Sequence, residues 1–300
     1  MNRRKLLLLQ SPLHIMLLPG VILVIIFSYG PMFGLVMAFQ KYYPAKGFTG
    51  SEFVGMEHFK YVFNMPQFVD ALWNTLTIAS MKIIAGQIVP LVVALLLNEV
   101  GKKLIRRGVQ TLIYLPHFLS WVILGGIMIQ ILSPSTGIVN GMLKGFGLEP
   151  IFFLADNDWF PFIIVLSDVW KEFGFNTIVY LAALTGINPS LYEAAVVDGA
   201  GRWKQTWHVT LPGILPIVVL LATLSLGNVL NAGFDQIYNL YSPTVYESGD
   251  IIDTLVYRVG IESAQFSLGA AVGLFRSVVS LLMITISYLL AYRFANYRIF

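Results

Sequence analysis

The chain has 300 residues, of which 57% are hydrophobic and only 12% are charged, and its formal net charge is +3. Soluble globular domains carry about 25% charged residues, so this composition excludes an ordinary soluble domain and favours a protein that crosses a membrane several times. The absence of cysteine excludes disulfides and cysteine-based metal sites. The basic residues form no continuous stripe, so we expect no nucleic-acid partner.

Six apolar runs are each long enough to cross a lipid bilayer as a helix, which takes about 20 residues. The runs occupy residues 15–39, 72–97, 110–132, 160–185, 213–232 and 268–294. They predict an all-α polytopic membrane protein with six transmembrane helices. We divide it into residues 1–71, an N-terminal transmembrane helix with the first extracellular loop, and residues 72–300, a five-helix core that contains a cytoplasmic loop at 187–212.

The loops between these runs alternate in charge. One side carries most of the basic residues, including Lys102, Lys103, Arg106 and Arg107. The other side carries few basic residues and most of the acidic ones. By the positive-inside rule, both termini and the loop at 187–212 face the cytoplasm.

Five charged residues fall deep inside the apolar runs, namely Lys82, Asp168, Lys171, Glu172 and Arg276, whereas Arg293 lies at the cytoplasmic end of the last run. A charge at the centre of a transmembrane helix costs about 2.5–3.5 kcal/mol on insertion scales, so each must be paired or must face a polar cavity. On the predicted topology, all five lie in one layer of the membrane. Two interpretations remain open: a polar lining of a translocation cavity, or ion pairs that lock the second, fourth and sixth helices together.

The third and fourth runs contain further polar and aromatic candidates. His117 follows a proline, and we expect it to satisfy a backbone carbonyl that this proline leaves free rather than to bind a metal. In the fourth run, Asp168, Lys171 and Glu172 share one helical face. Their neighbours, also candidates for a substrate pathway, are Trp170, Phe173 and Asn176.

The polar loop at residues 187–212 predicts a helix, a sharp turn and a second helix. Asn188 followed by Pro189 is typical of a helix start, and Ser190 with Glu193 offers an alternative capping box. Gly199 falls where a helix ends in a left-handed residue. We expect the second helix to end at Leu211–Pro212.

The spacing of Glu193–Ala194–Ala195, Gly199 and Leu211–Pro212 resembles the EAA loop of the membrane subunits of bacterial ABC importers. The longer string LYEAAVVDGAGRW, together with FSYGPMFGLVMAFQKYYPAKG and YLPHFLSW, is similar to the carbohydrate-uptake members, in particular to permeases for complex oligosaccharides and polysaccharides. The family pattern has isoleucine where this chain has Val209, a mild difference because both side chains are apolar and β-branched.

This resemblance implies a type I ABC permease fold in the bacterial cell membrane and half of a translocation pathway. It implies five partners or partner classes: a second permease subunit, two ATPase subunits, an extracellular solute-binding protein, an oligosaccharide substrate and the lipid bilayer. ATP and magnesium would be bound by the ATPase subunits. The residues expected to contact an ATPase subunit are Glu193, Ala194, Ala195, Asp198, Gly199, Leu211 and Pro212.

The fifth run contains Asn228 and Asn231, which would share one face of a helix. The resembling subunit of the maltose transporter has substrate-contacting asparagines at the same spacing, which implies a similar role here. The alternative is that both amides bind a neighbouring helix. Amides and aromatic faces suit a hydroxyl-rich ligand, so Asn228, Asn231, Trp170 and Phe173 favour an oligosaccharide.

No phosphate-binding loop and no hydrolase motif occur in the chain, so we expect no catalytic residue, no metal and no cofactor of its own. Two other functions remain open. The chain could be an ABC permease for peptides or other solutes. It could also be an ion-coupled secondary transporter or channel that uses the cluster from Asp168 to Glu172.

Overall fold

The computed structural model describes residues 3–295 and places side chains for residues 11–289. Predictions about the first two and the last five residues, including the cytoplasmic position of the extreme termini and of Arg298, lie outside the described residues. In chain order the helices are α1 (Arg3–Val24), α2 (Gly30–Met32), α3 (Gly47–Gly50), α4 (Glu57–Phe63), α5 (Pro66–Glu99), α6 (Lys103–Tyr114), α7 (Trp121–Ile131), α8 (Ile138–Gly145), α9 (Phe160–Thr185), α10 (Pro189–Val197), α11 (Arg202–Gln205), α12 (Leu211–Gly227), α13 (Phe234–Leu240), α14 (Tyr246–Gly249), α15 (Ile252–Val256) and α16 (Phe266–Ala295).

Shorter elements join these helices. Turns of π-helix occupy Ile25–Tyr29, Thr206–Thr210 and Tyr257–Glu262, and 3-10 turns occupy Phe33–Phe39, Leu115–Phe118 and Pro243–Val245. Strands β1 (Gln40–Lys41) and β2 (Glu52–Phe53) form an antiparallel hairpin in which Gln40 lies opposite Phe53.

Within the described residues, four segments are long and apolar enough to cross a membrane: Ser11–Phe39, Pro66–Glu99, Arg202–Gly227 and Phe266–Leu289. The bent pair α6 and α7 would be a fifth if it forms one broken span. Helix α9 has 26 residues, enough to span, but it carries the charges of Asp168, Lys171 and Glu172. The structure therefore confirms a helical membrane protein with four or five candidate spans, and six spans remain a prediction.

The third predicted span, residues 110–132, is wrong as a single continuous helix. The chain leaves α6 through the 3-10 turn and re-enters a helix at Trp121, with the two parts bent by 103°. Pro116 has no N–H to donate to the helical ladder. Ser120 then starts a new helix by accepting the N–H of Ile123 at 3.4 Å, so the bend is a complete break.

The fifth predicted span, residues 213–232, is displaced toward the N-terminus. The second helix of the loop does not end at Leu211–Pro212, because Pro212 occupies the first turn of α12, where a missing N–H is tolerated. The helix widens into the π turn just before that point and continues to Gly227. Residues 228–232 therefore lie beyond its end.

The chain forms two compact units. The first contains the residues up to Asn64 and Val256–Phe275, and the second contains Met65–Leu255 and the residues from Arg276 onward. In the first unit, the apolar side chains along Ser11–Phe39 are largely exposed, as a lipid-facing helix requires. The two units are defined by packing alone. The division between residues 71 and 72, which was based on function, therefore remains a prediction.

The core of the second unit lies between helices α5 and α9 and the segments that follow α12. Its fully buried side chains include Ile78, Phe160, Ile164, Ile237 and Ile251. Helix α6 approaches α9 very closely at Gly174, where an added Cβ would lie only 1.9 Å from the carbonyl oxygen of Ile113. This contact positions the broken third segment against α9.

Candidate functional site

The loop at residues 187–212 contains a short helix, α10, with a capping residue at each end. Helix α10 begins at Pro189, and Asn188 Oδ1 accepts the N–H of Ser190 at 3.0 Å. This confirms Asn188 as the N-cap, and the alternative start at Ser190 is wrong. The helix therefore has the start that the Asn-Pro dipeptide predicts.

Gly199 ends α10 in the left-handed conformation, with φ of +71°. The N–H of Ala200 donates to the Ala195 carbonyl at 2.8 Å, and the N–H of Gly199 donates to the Val196 carbonyl at 3.0 Å. These two bonds form a Schellman motif, which satisfies carbonyls at the helix end. A Cβ at Gly199 would meet no atom within 4 Å, so conformation rather than space requires a glycine here.

Helix α10 exposes apolar side chains. Leu191, Val196 and Val197 are 51%, 62% and 87% exposed. Of the predicted ATPase contacts, five are exposed and two, Ala195 and Leu211, are half-buried; the exposed ones are Glu193, Ala194, Asp198, Gly199 and Pro212. An exposed apolar patch of this kind is typical of a protein–protein contact.

The loop is joined to the transmembrane helices through one apolar cluster. Ile187 and Leu211, at the two ends of the loop, pack against a buried group that includes Tyr180 of α9 and Ile214 of α12. Tyr192 Oη also lies 3.0 Å from Thr210 Oγ1. A displacement of α10 would therefore act on both α9 and α12.

A cavity of about 410 Å³ lies among α5, α9, the last part of α12 and the residues that follow it, and we call it the polar cavity. It brings together six of the predicted pathway residues: Asp168, Glu172, Phe173, Asn176, Asn228 and Asn231. The other two, Trp170 and Lys171, do not line it. Trp170 is 39% exposed, and Lys171 is buried in a neighbouring cluster.

Lys82 lies in the wall of the polar cavity with its ammonium group fully occupied. It donates to Asp168 Oδ1 at 3.1 Å, to the Ala232 carbonyl at 2.7 Å and to Gln236 Oε1. Gly233, which has φ of +95°, provides the space for this ammonium group, because a Cβ at that position would lie 2.9 Å from Lys82 Nζ. The pair of Lys82 and Asp168 thus fastens α5 to α9 while Asp168 still borders the cavity.

Asn228 and Asn231 line the polar cavity, but the prediction that they share a helical face is wrong. Asn228 caps the end of α12, and Asn231 lies in the non-helical segment beyond it. The Asn228 amide donates to the Leu224 carbonyl at 3.3 Å. The side-chain amides of Asn176 and Asn231 have no hydrogen-bond partner among the described residues, so they are available to a ligand.

Lys171 belongs to a cluster that holds the broken third segment against α9. Its ammonium group donates to the His117 carbonyl at 2.6 Å and lies 3.2 Å from Glu172 Oε1. His117 Nδ1 donates to Glu172 Oε2 at 2.7 Å, and its ring stacks on Phe175 at 4.1 Å. The prediction that His117 satisfies a free carbonyl is wrong, because Glu172 of α9 lies within reach.

Arg276 is paired outside the polar cavity. Its guanidinium lies 2.8 Å from Asp253 Oδ1 and donates to the Leu230 carbonyl at 3.3 Å. Burial raises the pKa of the Asp253 carboxyl, and the charge of Arg276 opposes that shift. Arg276 therefore braces the segment after α12.

Three residues of the site were not among the predicted ones. Gln87 and Tyr180 line the polar cavity and share a hydrogen bond of 2.5 Å, and buried Gln236 accepts from Lys82. Gln87 could have been found from the sequence, since it is an amide inside an apolar run. Gln236 lies outside the predicted spans, so only the fold reveals its contact with Lys82.

Residues 86–296 match the family model described as binding-protein-dependent transport system inner membrane component. The chain belongs to this family. Among the relatives is the polygalacturonan/rhamnogalacturonan transport system permease protein YteP of Bacillus subtilis (strain 168), with 43% identity over 97% of this chain and 91% of the relative. The arabinooligosaccharides transport system permease protein AraP of the same organism is 30% identical over 90% of this chain and 85% of its own length.

A solved structure shows the same fold over almost the whole chain. It is a crystal structure of a bacterial alginate ABC transporter in complex with an alginate pentasaccharide-bound periplasmic protein. One of its chains is 42% identical, has a TM-score of 0.90 and is matched over 99% of both chains. This permease of the ABC importer family therefore has the type I fold that the EAA resemblance implies. Membership decides against the ion-coupled carrier or channel considered above.

Proposed function

We propose that this permease forms half of a translocation pathway for an oligosaccharide delivered by an extracellular solute-binding protein. The observation that carries the proposal is the polar cavity, where the amides of Asn176 and Asn231 are free to bind and Phe173 also lines the wall. Its volume of about 410 Å³ is within the range of ligand sites, about 300–1,000 Å³. Relatives named for polygalacturonan and arabinooligosaccharide transport support a sugar substrate.

The polar cavity is better suited to bind hydroxyl groups than an anionic group, because its lysine is already paired within the protein. Lys82 is occupied by Asp168, Gln236 and a backbone carbonyl. The amides of Asn176 and Asn231 can donate to and accept from hydroxyls without an ion pair. We therefore place sugar hydroxyls, rather than a charged group, against these two side chains.

In this proposal, the protein is a subunit of an importer in the bacterial cytoplasmic membrane. It crosses the membrane with six helices, and both of its termini lie in the cytoplasm. Helix α9 would be the sixth span, and its charges would be tolerated because they pair with one another and border a polar cavity. Residues 1–71 would then form the first helix and outer loop, and residues 72–300 the permease core. The positive charges of the predicted cytoplasmic loops support this orientation.

ATP hydrolysis would take place on two ATPase subunits that bind ATP and magnesium, and this chain would hold no cofactor. One ATPase subunit would receive α10 through Glu193, Ala194, Ala195, Asp198 and Gly199, with Leu211 and Pro212 at the end of the loop. The exposed apolar side chains of α10 support a docking surface there. A second permease subunit would complete the pathway.

The test uses single substitutions in the assembled importer. Asn231→Ala and Asn176→Ala should each reduce oligosaccharide uptake about threefold to tenfold, because each removes a hydrogen bond of about 0.5–1.5 kcal/mol. Complex assembly and basal ATP hydrolysis should stay unchanged. Asn64→Ala, which removes an exposed amide bonded only to the Lys60 carbonyl, is the control. Lower assembly with unchanged affinity for the sugar would contradict the proposal.

A further inference from the structure

A second cavity lies in the first compact unit, between the β1–β2 hairpin, helix α4 and the start of α16. Three tyrosines line it, Tyr42, Tyr43 and Tyr61, and we call it the tyrosine cavity. Its volume of about 360 Å³ is again within the range of ligand sites. The hairpin and α4 precede residue 86, where the family match begins, and the rest of the lining, residues 264–268, lies within the match.

The wall of the tyrosine cavity is fixed by hydrogen bonds. Ser267 Oγ donates to the Gln40 carbonyl at 2.7 Å and accepts the N–H of Tyr42 at 3.0 Å. His58 Nε2 donates to the same carbonyl at 3.1 Å, which leaves its Nδ1 as an acceptor. These bonds fix Ser267, His58 and the backbone of the β1 end of the hairpin, which form part of the cavity wall.

Part of the backbone that lines the cavity is strained. Ala264 has φ of +52° and, among the described residues, is the one non-glycine residue with a positive φ. It follows the π turn Tyr257–Glu262, which packs so closely on α16 that a Cβ at Gly269 would lie 2.6 Å from Gly260 Cα. Strain of this kind persists where the surroundings hold it and is common at ligand sites.

The side chains that line this cavity include one cation, Lys41, one carboxylate, Glu57, and an exposed aromatic ring, so they offer groups for a sugar and a positive charge for its carboxylate. Tyr61 is 58% exposed and has no ring partner among the described residues. It lies on one face of α4 with Glu57 and His58, whose polar atoms can bind hydroxyls. Lys41 also lines the cavity, and its ammonium group has no ion-pair partner in the described part of the chain.

We propose that the tyrosine cavity binds one pyranose unit of a uronate-containing oligosaccharide, with the ring against Tyr61 and the carboxylate at Lys41. A tyrosine offers a rigid, amphipathic surface at a low entropic cost. In the polar cavity region, Lys82 and Lys171 are both paired with carboxylates, whereas Lys41 is not. The inference rests on the proposed oligosaccharide function, and a structural relative imports the acidic polysaccharide alginate.

The test locates the bound sugar directly. The full importer, without its solute-binding protein, is incubated with trigalacturonate that carries a diazirine, and labelled peptides are quantified after irradiation. We expect labelling of peptides within residues 41–61 in addition to labelling within residues 168–176. Lys41→Gln and Tyr61→Ser should each reduce the first labelling at least fivefold and leave the second unchanged.

Two controls make the result specific. Lys46→Gln alters a nearby ammonium group that lies 5.4 Å from the Tyr43 ring centroid and does not line the cavity, so it should change nothing. Unlabelled trigalacturonate should displace the probe better than maltotriose, a neutral sugar of equal length. Labelling confined to residues 168–176 would overturn this inference and leave the proposed function intact. Absence of labelling at both sites, together with absent oligosaccharide uptake, would overturn both.

A further outcome separates a sugar site from a protein contact. If Lys41→Gln and Tyr61→Ser weaken binding of the solute-binding protein but leave labelling by the trisaccharide unchanged, the cavity is a docking surface for that protein. The sugar proposal would then be wrong.

Discussion

The lysines of α5 and α9 show how single residues carry charge within apolar helices. Lys82 has three acceptors around its ammonium group, and Lys171 donates to a carbonyl and pairs with Glu172. An isolated charge would cost about 2.5–3.5 kcal/mol at the centre of a membrane helix. Asp168 and Glu172 offset this cost and also border the polar cavity, so ion pairing and cavity lining are compatible for the second and fourth helices. The predicted lock does not include the sixth helix, because Arg276 pairs with Asp253 instead.

At the same scale, Gly199 ends α10, the helix that we propose to bind the ATPase subunit. Gly199→Ala should destabilise this turn by about 1–2 kcal/mol, because an L-residue is unfavourable in the left-handed region. Association with the ATPase subunit and uptake should fall while membrane insertion is normal, as measured by co-purification and transport. Gly201→Ala is the matched control, since Gly201 has φ of −67° and open space around it. Equal effects of the two substitutions would contradict this role.

At the scale of elements, apolar length predicts helices better than it predicts where they break. Residues 160–185 form α9 as expected, because the one proline of the run, Pro161, lies in the first turn, where a missing N–H is tolerated. The third run breaks at Pro116 and Ser120, which are local signals that could have been recognised. The end of α12 at Gly227 could not have been recognised from the sequence, because Val229 and Leu230 continue the apolar pattern. In the structure these two residues lie beyond the helix and pack in the buried core.

The same limit applies to the sites. Asn188 and Gly199, at the two ends of α10, predict the form of the loop at residues 187–212 because caps are local features. The polar cavity depends on the register between α5 and α9, which decides that Lys82 meets Asp168 and that Lys171 meets Glu172. Sequence spacing within one helix carries no information about that register.

Tyr180 connects two elements of the proposed mechanism. Its ring belongs to the apolar cluster that receives Leu211 and Ile187 from the loop at residues 187–212, and its hydroxyl donates to Gln87 at the polar cavity. Tyr180→Phe should keep the packing and remove the hydrogen bond, so substrate-stimulated ATP hydrolysis should fall about threefold to tenfold. Assembly and basal hydrolysis should not change. Tyr29→Phe, at an exposed side chain, is the control, and an equal loss in both variants would refute the connection.

At the scale of the whole molecule, the described residues contain one helix that we propose to bind an ATPase subunit, α10, and a polar cavity lined from α5, α9, α12 and the segment after α12. Two ATPase subunits that close on each other need two membrane partners to transmit their motion. Asn228 and Asn231 remain exposed in this chain, so its polar cavity is open on one side. Both observations favour a pathway shared with a second permease.

We therefore expect a heteromeric pore, and the prediction can be tested by omission. Membranes that contain this chain, the ATPase subunit and the solute-binding protein should show no ligand-stimulated uptake, because half of the cavity wall and one ATPase-binding helix are missing. Addition of the second permease should restore uptake. Gly199→Ala in this chain should then reduce uptake again, which would show that the restored activity depends on α10.

A homomeric assembly of this chain would give uptake without the second permease and two copies of this chain per pair of ATPase subunits. That stoichiometry, measured by native mass spectrometry on an active complex, would show that the second half of the pathway is another copy of the same chain.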